Sequence, residues 1–251
     1  GYAALCGASI ALVDVHGGLM RSEDVQLAIR KQEGSLSHFP DGTLVCVENT
    51  SNRGGGACYQ QETLDEIAAV AKANNCAIHM DGARIFNAVA ATKTPLNRML
   101  RDYDSVSICF SKGLGAPVGS VLVGSHSFIA RAHRWRKMFG GGMRQSGFLA
   151  AACLHAIDHH VDRLSDDHRR AKTIAKAINQ LEDFEVKMDT VETNMVYFES
   201  KAPALEVMEG LRRMNIDVLD VKPNVCRIVV HLHVTDEDVE HIIEAFSSLE
   251  S

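Results

Sequence analysis

No apolar stretch in this chain is long enough to span a bilayer, and no stretch reads as a signal peptide. There is no internal repeat, no low-complexity segment, no nucleophile elbow, no Walker loop and no dinucleotide fingerprint. Positive charge is in deficit: 26 Lys and Arg stand against 32 Asp and Glu, a formal charge of −6. A general nucleic-acid binder would carry a basic footprint, so that class is excluded. The local cluster of Arg131, Arg134, Arg136 and Lys137 around Trp135 then reads as a solvated helix leading to an interface, not as a nucleic-acid or membrane surface. No Cys-x-x-Cys spacing occurs among Cys6, Cys46, Cys58, Cys76, Cys109, Cys153 and Cys226. Scattered, odd in number and mostly inside apolar runs, they read as reduced core cysteines of a cytoplasmic protein. What remains is a globular chain of 251 residues, 46% hydrophobic and 23% charged, able to build a sizeable core as one large domain or two smaller ones.

Strand and helix patterns alternate along the chain. Ala3 to Val15 is apolar and small and reads as a strand with a turn at Gly7. Ser22 to Lys31 reads as a short helix capped by Ser22, and Gly34 to Gly42 as a polar loop. Thr43 to Val47 is a buried strand that feeds Glu48-Asn49-Thr50-Ser51 and Arg53-Gly54-Gly55-Gly56. Apolar residues at 64, 67, 68 and 71 predict a helix over Thr63 to Asn75, with Thr63 as cap and Glu66 at the capping-box position. Strands follow at Cys76–Met80, Ser105–Phe110 and Ser120–Val123. Helices are expected at Arg84–Ala91, Pro95–Arg101, Ser125–Met138, Gln145–His160 and Arg163–Leu181. Beyond these come short strands (184–188, 195–199, 216–219, 226–231) separated by helices over 203–214 and 235–248. The change of pattern puts a domain boundary near Leu164, giving units 1–164 and 165–251. The alternation predicts α/β architecture.

Two segments carry the chemistry. Ile78-His79-Met80-Asp81 is an apolar strand running into a carboxylate. Val106 to Ser111 runs into the amine of Lys112, followed by Gly113, Leu114 and Gly115. A charge at the end of a buried strand is expensive unless it has a partner or a task. In an open α/β sheet, ligands collect beyond the carboxyl ends of the strands. A lysine and an aspartate presented there suit pyridoxal 5'-phosphate: the lysine forms the Schiff base and the aspartate holds the pyridinium nitrogen. A Schiff-base lysine is favoured in a desolvated site, since burial lowers the pKa of an amine. Arg84, one helical turn past Asp81, points back towards the same site on this reading, to hold the cofactor's phenolic oxygen or a substrate carboxylate. His79 faces the same way as Asp81 if strand geometry holds; a packed strand histidine is its default reading, and orienting that carboxylate by a hydrogen bond the alternative. The plainer reading of these residues is a helix cap at Asp81 and a solvated turn at Ser111-Lys112-Gly113.

His79-Met80-Asp81-Gly82-Ala83-Arg84-Ile85-Phe86-Asn87-Ala88 resembles the cofactor segment of the low-specificity L-threonine aldolases, fold-type-I pyridoxal-phosphate enzymes. Ser111-Lys112-Gly113-Leu114-Gly115-Ala116-Pro117-Val118-Gly119-Ser120 resembles their lysine segment. Arg134-Trp135-Arg136-Lys137, Gly140-Gly141-Gly142-Met143-Arg144-Gln145-Ser146-Gly147 and Arg227 to Val234 are further matches, so the resemblance runs along essentially the whole chain. It implies a large domain with a mostly parallel sheet and a small α+β C-terminal domain. It also implies retro-aldol cleavage of L-threonine or L-allo-threonine to glycine and acetaldehyde in a homotetramer with sites at subunit interfaces. By the same resemblance Lys112 is the Schiff-base lysine and Asp81 the partner of the pyridine nitrogen. Arg84 and Arg227 bind the substrate carboxylate, and Arg144 lies near the cofactor phosphate.

The sequence departs from the family pattern in two places. The resemblance implies a preceding segment with a phosphate-binding Ser-Gly-Thr-type loop and a ring-stacking histidine, and the chain shown begins with Gly1 beyond it. The family's Glu-Asn-Thr-His loop reads Glu48-Asn49-Thr50-Ser51 here, so Ser51 takes the catalytic place of a candidate base for the β-hydroxyl proton, where it is left to hold a water or that hydroxyl itself. Loss of such a base typically lowers a rate by roughly 100- to 10,000-fold. Two other readings stand beside the aldolase: another fold-type-I lyase or aminotransferase, and a catalytically impaired homologue that serves as an oligomer subunit. His231 and His233 share one strand face without a supporting acidic or cysteine cluster, so no metal site is expected, and His159-His160 reads as an exposed helix end.

Overall fold

A computed structural model describes residues 1–30 and 38–249. Lys31 and the first part of the loop expected over Gly34–Gly42 lie outside these residues. In chain order the elements are α1 (Tyr2–Cys6), α2 (Ser22–Ile29), β1 (Leu44–Glu48), α3 (Gln61–Ala73), β2 (Ala77–Gly82), α4 (Ile85–Thr92), α5 (Leu96–Met99), β3 (Ser105–Cys109) and β4 (Ser120–Gly124). They continue with α6 (His126–Met138), α7 (Gly147–His160), α8 (Leu164–Ile178), β5 (Phe184–Val186), β6 (Met195–Ser200), α9 (Ala204–Arg213), β7 (Leu219–Lys222), β8 (Val225–Val229) and α10 (Asp236–Leu249).

The first sheet has the order β1-β2-β3-β4. β1, β2 and β3 are parallel, and β4 returns antiparallel to β3. Glu48 lies opposite Asp81, and Asp81 opposite Ser107, so the carboxyl ends of three strands meet at one edge. The strands alternate. Val45, Val47, Ile78, Met80, Val106 and Ile108 point to a core closed by Val25 and Ile29 of α2, Leu64, Ile67 and Ala71 of α3, and Ile85 and Ala88 of α4. The opposite face carries Leu44, Cys46, Glu48, Ala77 and Asp81 and is exposed.

The second sheet has the order β5-β6-β8-β7 and is antiparallel throughout. α8, α9 and α10 cover one of its faces. Ile174, Ile178, Val196, Leu211 and Ile228 pack there beside an edge-to-face trio of Phe184, Phe198 and Phe246 with ring centroids 5.2–5.8 Å apart. α8 opens at Leu164, whose own side chain packs with Leu114, Ala116 and Ala156, while the rest of its buried stripe joins the second core.

Several expected elements differ. Ala3–Val15 forms no strand. Tyr2–Cys6 is one helical turn ended by Gly7 at φ 60, and the stretch beyond it is exposed, with Ile10 and Leu12 among the uncovered apolar residues. A short apolar run does not distinguish strand from helix, and no described strand pairs with this one. α3 begins at Gln61, two residues before the expected Thr63, and Gln61 Nε2 donates to Asp65 Oδ1 at 2.9 Å inside its first turn. α2 starts at Ser22, but its end is closed by Arg21 N donating to Asp24 Oδ2 at 2.9 Å, not by the Ser22 hydroxyl. α5 is a single turn. β7 lies at Leu219–Lys222, not 216–219, because the apolar run before it turns Val218 into the core before the edge strand begins.

Candidate active site

Asp81 stands at the carboxyl end of β2, and its exposed carboxylate accepts Ala83 N–H at 3.1 Å. The carboxylate belongs to the open face of the sheet. Cys46 and His79 flank it there, and both register its charge. Burial, then Asp81, raises the Cys46 thiol pKa, and burial lowers that of His79 against the opposing pull of Asp81. Of the two readings of His79, the structure shows the packed strand histidine: its Nδ1 is paired with Ser105 Oγ at 2.8 Å, the residue directly opposite on β3, and no hydrogen bond joins it to Asp81.

Lys112 follows β3 in a tight turn in which Gly115 N–H donates to Lys112 O at 2.9 Å and Ala116 N–H to Phe110 O at 3.0 Å. The turn is seated on the helices behind it. A Cβ at Gly113 would lie 2.9 Å from Asn87 Oδ1 of α4 and 3.2 Å from Leu164 of α8. His160 Nδ1 lies 2.6 Å from Leu114 O, so this histidine fastens α7 to the lysine turn and is not the exposed helix end its sequence suggests. Lys112 itself is exposed, in contrast to the desolvated setting expected for it, because Gly113 and Leu114 take the buried positions of the turn.

The two arginines at 84 and 227 come from different halves of the chain and meet. Arg84 precedes α4, and Arg227 lies in the middle of β8. Both donate to one acceptor, Asn52 Oδ1: Arg84 Nη1 at 3.4 Å and Arg227 Nη1 at 3.0 Å. Burial, then the charge of Arg227, lowers the proton affinity of Arg84. The Nε–H of Arg227 is buried with no hydrogen-bond partner among the described residues. Asn52 and Tyr197 are the residues that sequence reasoning missed. Tyr197 lies opposite Arg227 on β6, and its hydroxyl donates to Asn52 O at 2.8 Å. A lone tyrosine in the apolar strand Met195–Ser200 was the available signal, but its meaning depends on a cross-strand register that the sequence does not display. A cavity of about 780 Å³ opens beside this cluster, walled by Asn52, Gly54, Tyr197 and Arg227 among others.

Ser51 is 3% exposed, and its Oγ accepts Gly54 N–H at 3.2 Å. A Cβ on Gly18 would come within 2.2 Å of that oxygen. The hydroxyl is therefore packed into the loop that carries Asn52, beneath the glycines at 17 and 18. Arg144 stands exposed in the loop between α6 and α7, and the arginine pair is built without it. His231 and His233 stack edge to face at 5.7 Å. Among the described residues no group of three or more His, Cys, Asp or Glu is placed to hold a metal ion.

These groups can be matched to a cofactor. A carboxylate and a primary amine stand at the ends of adjacent parallel strands, and a pair of guanidiniums with an unsatisfied buried N–H stands across the loop from β1. The first two fit the pyridine nitrogen and aldehyde of pyridoxal phosphate, and the third fits a carboxylate.

Comparison with known proteins identifies the family and the fold. The model of the "Beta-eliminating lyase" family matches residues 1–201. Two Arabidopsis thaliana proteins are similar: "Probable low-specificity L-threonine aldolase 2", 41% identical over 92% of this chain and 66% of its own length, and "Low-specificity L-threonine aldolase 1", 40% identical over 91% and 65%. The chain thus spans slightly under two thirds of these relatives. A solved structure of Leishmania major threonine aldolase superposes with a TM-score of 0.83 at 17% identity, covering 100% of this chain and 75% of that one. At that identity the superposition shows a shared fold.

Proposed function

The chain belongs to the beta-eliminating lyase family, and from that premise we propose that it acts in the cleavage of L-threonine and L-allo-threonine to glycine and acetaldehyde, with pyridoxal 5'-phosphate as cofactor. The observation that carries this reading is the meeting of Arg84 and Arg227 on Asn52 in the loop that follows β1, with Asp81 ending the neighbouring strand β2 and Lys112 following β3. When bound, the cofactor supplies an electron sink for the pair released at Cα as the Cα–Cβ bond breaks. Asp81 supports that sink by keeping the pyridine nitrogen protonated. Lys112 supplies the amine that attaches the cofactor aldehyde. Arg84 and Arg227 take the substrate carboxylate, which fixes the Cα–Cβ bond in a single orientation and so selects the bond that breaks. Arg144 is proposed to lie by the cofactor phosphate.

We give Ser51 a different part from that of the family's histidine. Its buried hydroxyl, held by Gly54, shapes the loop that presents Asn52. The division at Leu164 into residues 1–164 and 165–251 is proposed on the same basis as the two separate cores. The working unit is proposed to be a homo-oligomer, a tetramer by resemblance, in threonine breakdown and glycine formation in the cytosol. The free state of all seven cysteines is consistent with that compartment.

The test is product analysis with cofactor present. Equimolar glycine and acetaldehyde from either threonine isomer, lost in Lys112→Ala, supports the reading. A keto acid with transfer of the amino group would replace it with an aminotransferase.

A further inference from the structure

Asn52 is fixed at three points. Its N–H donates to Glu48 Oε2 at 3.2 Å, its carbonyl accepts from the Tyr197 hydroxyl at 2.8 Å, and its side-chain oxygen accepts from Arg84 and Arg227. Glu48 ends β1 in the first sheet, and Tyr197 and Arg227 are cross-strand partners in the second, so one loop residue ties the two sheets together at the arginine pair. Two guanidiniums at this spacing repel, and one neutral amide oxygen leaves both charges in place. It also leaves Arg227 Nε–H, buried, without an acceptor among the described residues. An aspartate here would set a fixed negative charge between the arginines and occupy them. An asparagine holds their geometry and leaves the charge for a ligand.

We propose that Asn52 is the positioning residue of the carboxylate site: it holds Arg84 and Arg227 at the separation a substrate carboxylate bridges, and its neutrality reserves the pair for that carboxylate. The inference rests on the reading of the arginine pair as the substrate's carboxylate site.

The test compares the cofactor-loaded parent with Asn52→Asp and Asn52→Ala. Glycine is the carboxylate probe, and methylamine, the same amine without a carboxylate, is the control. Binding is followed by the NMR signals of the arginine Nε–H groups and by the cofactor absorbance, with folding checked by thermal melting. Glycine should move the Arg84 and Arg227 signals in the parent. Asn52→Asp should weaken glycine by about ten-fold or more, and Asn52→Ala by roughly three- to ten-fold. Methylamine should stay within about two-fold throughout. Glycine affinity within about two-fold of the parent in both variants, or equal weakening of methylamine, overturns the proposal, as does a parent whose arginine signals ignore glycine. If Asn52→Asp does not fold, Asn52→Ala decides alone. A parent that binds glycine at these arginines but does not cleave threonine contradicts the proposed reaction and supports the role of Asn52, so the two failures are distinct.

Discussion

His168 shows how a single residue on the rear of the site makes the fold depend on pH. It lies on α8 with its Nε2 3.0 Å from Asn87 Nδ2, and Asn87 reaches on to Asn194 Oδ1 at 3.4 Å. Burial, then the nearby charge of Lys93, lowers its pKa from 6.5 to about 4. The folded state therefore holds a neutral imidazole that accepts from Asn87, whereas the unfolded chain binds a proton first as pH falls. Stability from this group is complete above pH 6.5 and is lost as pH falls from 6.5 towards 4. The full loss is at most about 3 kcal/mol. Denaturant midpoints across that range should fall in the parent and change less in His168→Gln, which keeps an acceptor but does not titrate. Equal pH slopes in both would remove His168 from the explanation.

At the scale of the element, the lysine turn depends on what lies beneath it. Gly113 packs so close to α4 and α8 that an added methyl meets Asn87 Oδ1 at 2.9 Å. Gly113→Ala should therefore lower stability by about 1–3 kcal/mol, since overpacking forces side chains or backbone to shift. It should also reduce cofactor retention by moving Lys112. Retained cofactor content and an unchanged melting midpoint would show that the turn absorbs the methyl freely. The elements that position Asp81 and Lys112 were legible in the sequence because each is an apolar run ending abruptly in one charge, and a buried strand leaves few other meanings for that pattern. α3 was legible from the spacing of its buried residues Leu64, Ile67, Ala68 and Ala71. Ala3–Val15 was not, because a short apolar run has no helix or strand identity until something packs on it. Nor was the purpose of Ser22 and Thr63. Both are residue types that cap helices, but the real caps lie earlier, at Arg21 with Asp24 for α2 and at Gln60 for α3. Asn52 escaped notice for a further reason. Its partners lie 32 and 175 positions away, at Arg84 and Arg227, and only the packing of one sheet beside the other brings them together.

At the scale of the whole molecule, the chain leaves much apolar surface in contact with solvent. The first sheet is parallel through three strands, a type usually covered on both faces, yet Leu44 and Val123 are about half exposed. α6 and α7 add Trp135, Met138, Phe139, Phe148 and Leu154. Surface of this kind supports the proposed homo-oligomer. Trp135 is the chain's one tryptophan, half exposed and stacked on Phe139. Its emission should shift to the blue as concentration rises through assembly, in step with the mass measured by light scattering. Emission that stays constant while mass increases would place the contact elsewhere on the surface.

The central claim is that Lys112 holds the cofactor. The direct measurement is borohydride reduction of the protein after incubation with pyridoxal 5'-phosphate, followed by proteolysis and mass spectrometry. The account predicts a pyridoxyl group on the peptide bearing Lys112, at one per chain, and far less of it in Asp81→Ala, which lacks the carboxylate for the pyridine nitrogen. Label spread over surface lysines with no preference for Lys112, unchanged by Asp81→Ala, would contradict it.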